Sequence, residues 1–113
     1  MEDKFVYDVR FSNEAADFIT ALGKKAKEKI FFNINKVRHG VKDVDIFKKL
    51  ENSDIWEFRT LHNRIAYRLF AFFDEENKRI IVVTHGIVKK TQKTPLKEIE
   101  KAERYRINYL KSE

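Results

Sequence analysis

The feature that most limits what this chain can fold into is a change of hydrophobic period part-way along it. From residue 55 onward, apolar residues recur at every second position, in IWEFRTL (55–61), RIAYRLFAFF (64–73) and RIIVVTHGIV (79–88). A period of two is that of a half-buried strand. His62-Asn63 separates the first two runs and DEEN (74–77) forms the turn before the third. Connections this short allow only antiparallel neighbours, because a parallel pair needs a crossover of about a dozen residues. The pattern therefore predicts a three-strand meander. It places Trp56, Phe58 and Thr60 on one face with Glu57 and Arg59 on the other. The next strand then sets Ile65, Tyr67, Leu69, Ala71 and Phe73 against Arg64, Ala66, Arg68, Phe70 and Phe72.

Upstream, the period is helical. KFVYDVRF (4–11) reads as a first strand, and Ser12 and Asn13 supply helix-capping chemistry. Ala15, Phe18, Ile19 and Leu22 form one apolar stripe, which Gly23 ends or bends. Ala26, Ile30, Ile34 and Val37 form a second, with Phe31 beside it, five lysines (24, 25, 27, 29 and 36) on the remainder and His39-Gly40 as its close. Residues 41–54 connect this helical hairpin to the meander, with Phe47 and Leu50 as anchors. After KKTQKT (89–94), Thr94 can cap a last helix with Pro95 in its first position, and Leu96, Ile99, Ala102, Tyr105, Tyr109 and Leu110 make its buried stripe. The expected fold is α+β: one domain over residues 1–113, a small antiparallel sheet of the N-terminal strand plus the meander, and helices on one face.

Composition excludes several kinds of chemistry. With no cysteine, there is no disulfide scaffold, thiolate metal site or cysteine nucleophile. No stretch approaches the roughly 18 apolar residues of a membrane span, so a soluble, cytoplasmic protein is expected. The net charge is +6, and it is unevenly placed. Residues 1–54 carry 11 basic and 10 acidic groups, residues 55–94 carry 8 and 4, and residues 95–113 carry 5 and 4. The surplus thus sits on the strands, which suits a sheet face that meets an anionic partner.

Arg59, Arg64 and Arg68 fall at period-two positions on neighbouring strands. Guanidinium groups stay protonated and offer a planar fork of donors, which fits phosphate and the extra charge of a phosphoryl transition state. The same pattern also fits a solvated face on which Glu57 and Asp74 are ion-pair partners. His85, ahead of Gly86, has the side chain whose ordinary pKa best suits proton transfer, and it is equally compatible with a structural role. Lys89, Lys90 and Lys93 put three ammonium groups in one loop, where they can grip phosphates with strong salt dependence and little sequence reading. Trp56 and Tyr67 are assigned to the core, whereas Phe70 and Phe72, sharing the arginine face, are expected to be open for stacking or for a partner. No metal or cofactor site is expected, and no Ser-His-Asp, P-loop or GxGxxG arrangement occurs.

WEFR (56–59), RIAYRLF (64–70) and THGIVKKTQKTP (84–95), in this order before a final helix, resemble the RelE/ParE toxin superfamily, in particular its phage-derived HigB-like branch. The resemblance implies a type II toxin that enters the ribosomal A site, cleaves mRNA as an endoribonuclease without a metal, and is neutralised by an antitoxin of helix-turn-helix type. By this resemblance Arg59 and Arg64 match basic catalytic positions, and His85 and Lys89 or Lys90 fall in the region that contributes further active-site groups; the residues themselves add His85 as the candidate for proton transfer and Arg68, Lys89, Lys90 and Lys93 as RNA-binding groups. This sequence has Glu57 where some members carry a second lysine, so the resemblance does not name the general base. A ParE-like inhibitor of gyrase and a non-catalytic RNA- or protein-binding module on the same fold are the alternatives.

Overall fold

The computed structural model describes residues 4–89 and 93–112. The elements in chain order are β1 (Asp8–Phe11), α1 (Asn13–Thr20), α2 (Lys24–Arg38), β2 (Phe47–Lys49), β3 (Trp56–His62), β4 (Ile65–Phe73), β5 (Ile80–Lys89) and α3 (Leu96–Lys111). The strands form one sheet in the order β1-β5-β4-β3-β2. The meander is present as expected, and the segment before it contributes a further short strand, β2, antiparallel to β3. The sheet is mixed rather than antiparallel, because β1 runs parallel to β5, with Asp8 opposite Ile80. A parallel pair is possible here since the connection between these two strands is most of the chain.

Local chemistry sets the helix ends. The Ser12 hydroxyl accepts from the Ala15 N–H at 3.0 Å, capping α1, and donates to the Thr84 carbonyl at 2.6 Å, so one side chain both starts the helix and fastens it to β5. Gly23 breaks the helical run and stands as the N-cap of α2; Gly40, at φ 90°, turns the chain after α2. Pro95, not Thr94, occupies the cap position of α3, and no side chain caps that helix.

The sheet is covered on both faces, not on one. Against α1 and α2 lie Phe58, Tyr67, Leu69, Ala71, Ile81 and Val83. Against α3, through Ile99, Ala102, Tyr105 and Tyr109, lie Phe70, Phe72, Ile80 and Val82. Phe70 and Phe72, expected to be open, are 0% and 1% exposed. Burying each is worth about 1.5–3 kcal/mol, which outweighs leaving them free beside the arginines.

A bulge between β4 and β5 pairs Phe70 with His85 but Ala71 with Val83, leaving Thr84 as the extra residue. Beyond it, Gly86 lies beneath α1. A Cβ there would come within 2.7 Å of the Leu69 side chain and closer still to the Phe18 ring. Gly86→Ala is therefore expected to destabilise the fold by about 1–3 kcal/mol, through overpacking, as measured by urea unfolding. An unchanged midpoint would show that Phe18 yields freely.

Candidate functional site

The register of the sheet gathers basic side chains on the α3 face, past the end of that helix. Arg59 on β3 lies directly opposite Arg68 on β4, and Lys89 on β5 lies opposite Ala66, two residues further along. Glu57 is two residues from Arg59 on the same face, so it sits diagonally from Arg68, a spacing that long side chains bridge. Glu57 is 2% exposed. Oε1 stands 3.3 Å from Arg68 Nε and 3.6 Å from Arg59 Nε, and Oε2 accepts from the Thr94 hydroxyl at 2.8 Å. Lys89 Nζ in turn donates to the Thr94 oxygen at 3.3 Å. Thr94, expected as a helix cap, instead ties the start of the final helix to this cluster.

The electrostatics follow from burial and crowding. Arg68 is 8% exposed, and desolvation pushes its pKa below the ordinary arginine value; Arg59 pushes the same way, and Glu57 opposes them. Lys89 is also lowered, first by desolvation and then by Arg68, Arg59 and Lys48, again against the pull of Glu57. The Arg59 side chain remains 29% exposed. The cluster is partly sheltered, with Arg68 and Glu57 buried and Arg59 and Lys89 half-buried, and a recess of about 540 Å³ lies elsewhere, along α3 at Lys101, Tyr105 and Tyr109.

Of the other residues singled out in the sequence, Arg64 and His85 do not join this cluster. Arg64 is in the β3–β4 turn, not in a strand. Asn63 and Arg64 have φ of 50° and 65°, the left-handed pair of a two-residue hairpin turn, and the Arg64 side chain is exposed at its tip. Lys93 is exposed in the connector to α3, and Lys90 lies outside the described residues. His85 is 1% exposed, stacked on Phe70 with ring centroids 4.8 Å apart, beneath the N-terminal turn of α3. Asp74 serves the β4–β5 turn, accepting from the N–H groups of Glu76 and Asn77, and accepts from the Tyr109 hydroxyl. Of the two carboxylates expected to pair with arginines, Glu57 is the one at the cluster. Among the described residues, no group of three or more His, Cys, Asp or Glu could hold a metal, and no helix is long and apolar enough to cross a membrane.

A family model described as phage-derived protein Gp49-like (DUF891) matches residues 17–106. The chain belongs to this family. Comparison with curated proteins gives no significant match. Among solved structures, this Gp49-like protein is similar to a doubly substituted mutant of the E. coli toxin RelE in the free state, with 20% identity over 90% of this chain and 98% of that one and a TM-score of 0.63. It is also similar to a chain of the intact E. coli RelBE toxin-antitoxin complex, with 20% identity over 77% of this chain and 99% of that one and a TM-score of 0.55. The fold of the Gp49-like protein is therefore that of RelE.

His85 gives the site's surroundings a pH dependence. Its Nε2 lies 3.1 Å from Glu98 Oε1 and its Nδ1 2.8 Å from Thr84 Oγ1. Burial lowers its pKa, more than the hydrogen bond to Glu98 raises it. A neutral ring satisfies the geometry, with Nε2–H donating to Glu98 and Nδ1 accepting from the Thr84 hydroxyl, whose one proton then takes this shorter contact over the Phe70 carbonyl at 3.3 Å. A histidine held below its unfolded value of about 6.5 stabilises the fold fully above that pH, and the contribution is lost as pH falls toward the folded-state value. Melting temperatures should therefore decline from about pH 7 downward, and His85→Phe, which keeps a ring on Phe70, should flatten the decline. An unaltered slope would assign the acid sensitivity to other groups.

Proposed function

We propose that this protein is a RelE-type toxin that cuts mRNA during translation and is held inactive by a partner antitoxin. The observation that carries the reading is the convergence of Arg59, Arg68 and Lys89 on one sheet face around Glu57, with Arg59 and Lys89 partly exposed. Its support comes from family and fold: a Gp49-like chain with the architecture of RelE, a protein described as a toxin and solved in a toxin-antitoxin complex.

In the proposed reaction the ribose 2′-OH attacks the adjacent phosphorus and the bond to the 5′-oxygen breaks. The products are a 2′,3′-cyclic phosphate and a 5′-OH end. The 2′-OH gives up one proton, and the 5′-oxygen gains one. Arg59 and Arg68 stabilise the charge that builds on the phosphoryl oxygens, since arginine is too weak an acid to take part in proton transfer. Lys89, whose proton is loosened by desolvation and by its cationic neighbours, is the donor for the leaving oxygen. His85 lies too deep beneath α3 for this work and acts as a structural tie to Glu98. A basic face of a few partly exposed cations grips a flexible strand without fixing it for attack, so alignment falls to the ribosome, and cleavage of naked RNA is weak.

Induction of the protein followed by mapping of mRNA 5′ ends tests this reading. New ends confined to translated messages and in frame with codons are expected; signs of DNA damage without RNA cuts would instead fit a gyrase poison and overturn it. Arg59→Ala should lower cutting about a hundredfold or more, the scale of one lost transition-state donor, with the melting temperature little changed. Arg64→Gly removes the guanidinium while relieving the left-handed backbone, so it should stabilise the fold by up to about 1 kcal/mol. If that variant also cuts at the unaltered rate, Arg64 has no part in the site.

A further inference from the structure

The cationic cluster is built around an anion of its own. Glu57 is almost wholly buried, carries a full set of neighbours, and is at the centre of the face that would meet phosphate. A carboxylate there opposes binding of a polyanion, so its presence asks for a reason beyond charge.

The orientation of the two guanidinium groups supplies one. Arg68 faces Glu57 through Nε and sends Nη1 to the Tyr67 carbonyl at 3.1 Å. Arg59 faces Glu57 through Nε and sends Nη1 to the Val44 carbonyl at 3.4 Å. Each fork is thus pinned on one edge, and among the described residues neither Nη2 has a protein acceptor. The Nε groups are buried without a hydrogen bond of good geometry, held only by the charge of the carboxylate. Oε2 extends the same restraint to Thr94, and through it to Lys89. One side chain therefore connects all three cations.

We propose that Glu57 is a positioning residue, which orients Arg59, Arg68 and Lys89 toward a substrate phosphate and accepts weaker RNA binding in return for an aligned set of donors. The proposal rests on the nuclease reading above and adds to it a division between binding and rate. Removing the charge should tighten RNA binding, because one more cation becomes available to phosphate, yet slow the reaction, because the forks lose their common anchor.

The test compares the full chain with Glu57→Gln, which keeps the shape and the acceptor for Thr94. Binding of a short single-stranded RNA is measured by fluorescence anisotropy over a range of salt, and cleavage is measured on saturating translated mRNA across pH. Glu57→Gln should bind several-fold more tightly, with a salt slope steeper by about 0.7, the contribution of one phosphate contact on a single strand, and should cut at least tenfold more slowly. Glu57→Asp keeps the charge and should retain the original slope with an intermediate rate; it carries the test if the Gln variant does not fold. An unchanged rate in Glu57→Gln overturns the proposal. So does loss of binding together with rate, which marks a merely structural residue, and so does loss of the acidic limb of the pH–rate profile, which marks Glu57 as the proton acceptor. Absence of cleavage by the unaltered protein would defeat the nuclease reading instead, a result distinct from any of these.

Discussion

The structure depends on β4 being buried on both faces. A central strand with helices above and below must be apolar along nearly its whole length, and Ile65–Phe73 meets that demand with one charged exception, Arg68. Tyr67, Leu69 and Ala71 join the core beneath α1 and α2, while Phe70 and Phe72 join the one beneath α3. Arg68 sits where α3 no longer covers the strand, and it is there that the cationic cluster forms. A charge at this depth persists only if it is compensated, and Glu57 on the neighbouring strand does so. The polar site is thus a consequence of where the second layer of helix stops.

The alternation of residues 55–73 made the meander and its pairing readable, because a half-buried strand writes its two faces into the sequence at a fixed period. The placement of α3 was not readable in the same way. Its stripe of Ile99, Ala102, Tyr105 and Tyr109 shows that it packs on something, not on which face of the sheet. The missed signal was in β4 itself: Phe70, Ala71, Phe72 and Phe73 in succession fit a strand with no solvent face. That run also bears on the expectation that Phe70 and Phe72 were open to a ligand, since two large aromatic rings beside a central arginine are more stable under a helix than in water.

The site was legible in part for a related reason. Arg59 and Arg68 were brought together by strand pairing, which the period gives. Arg64 was misplaced by one residue of turn, because a two-residue hairpin of left-handed conformation ordinarily carries glycine or asparagine in its second position, and arginine there gives no warning. The bulge at Thr84 turns His85 onto the α3 face, where the N-terminal turn of that helix covers it; no spacing in the sequence announces an extra residue of that kind. Glu57 was visible as a departure from the pattern of similar toxins, and its geometry is what three-dimensional information added.

The parallel pairing of β1 with β5 also bears on how the chain reaches this fold. Ser12 and Thr84, joined by a hydrogen bond, are 72 residues apart in sequence. Closing a loop of that length is entropically costly, and its contacts stabilise nothing until β5 is in place. On a ribosome, β1 therefore waits for β5 to be made before it can pair. The meander is a local structure and is free to form without β1, so the parallel pair is the part of the sheet whose formation depends on contacts far apart in the chain.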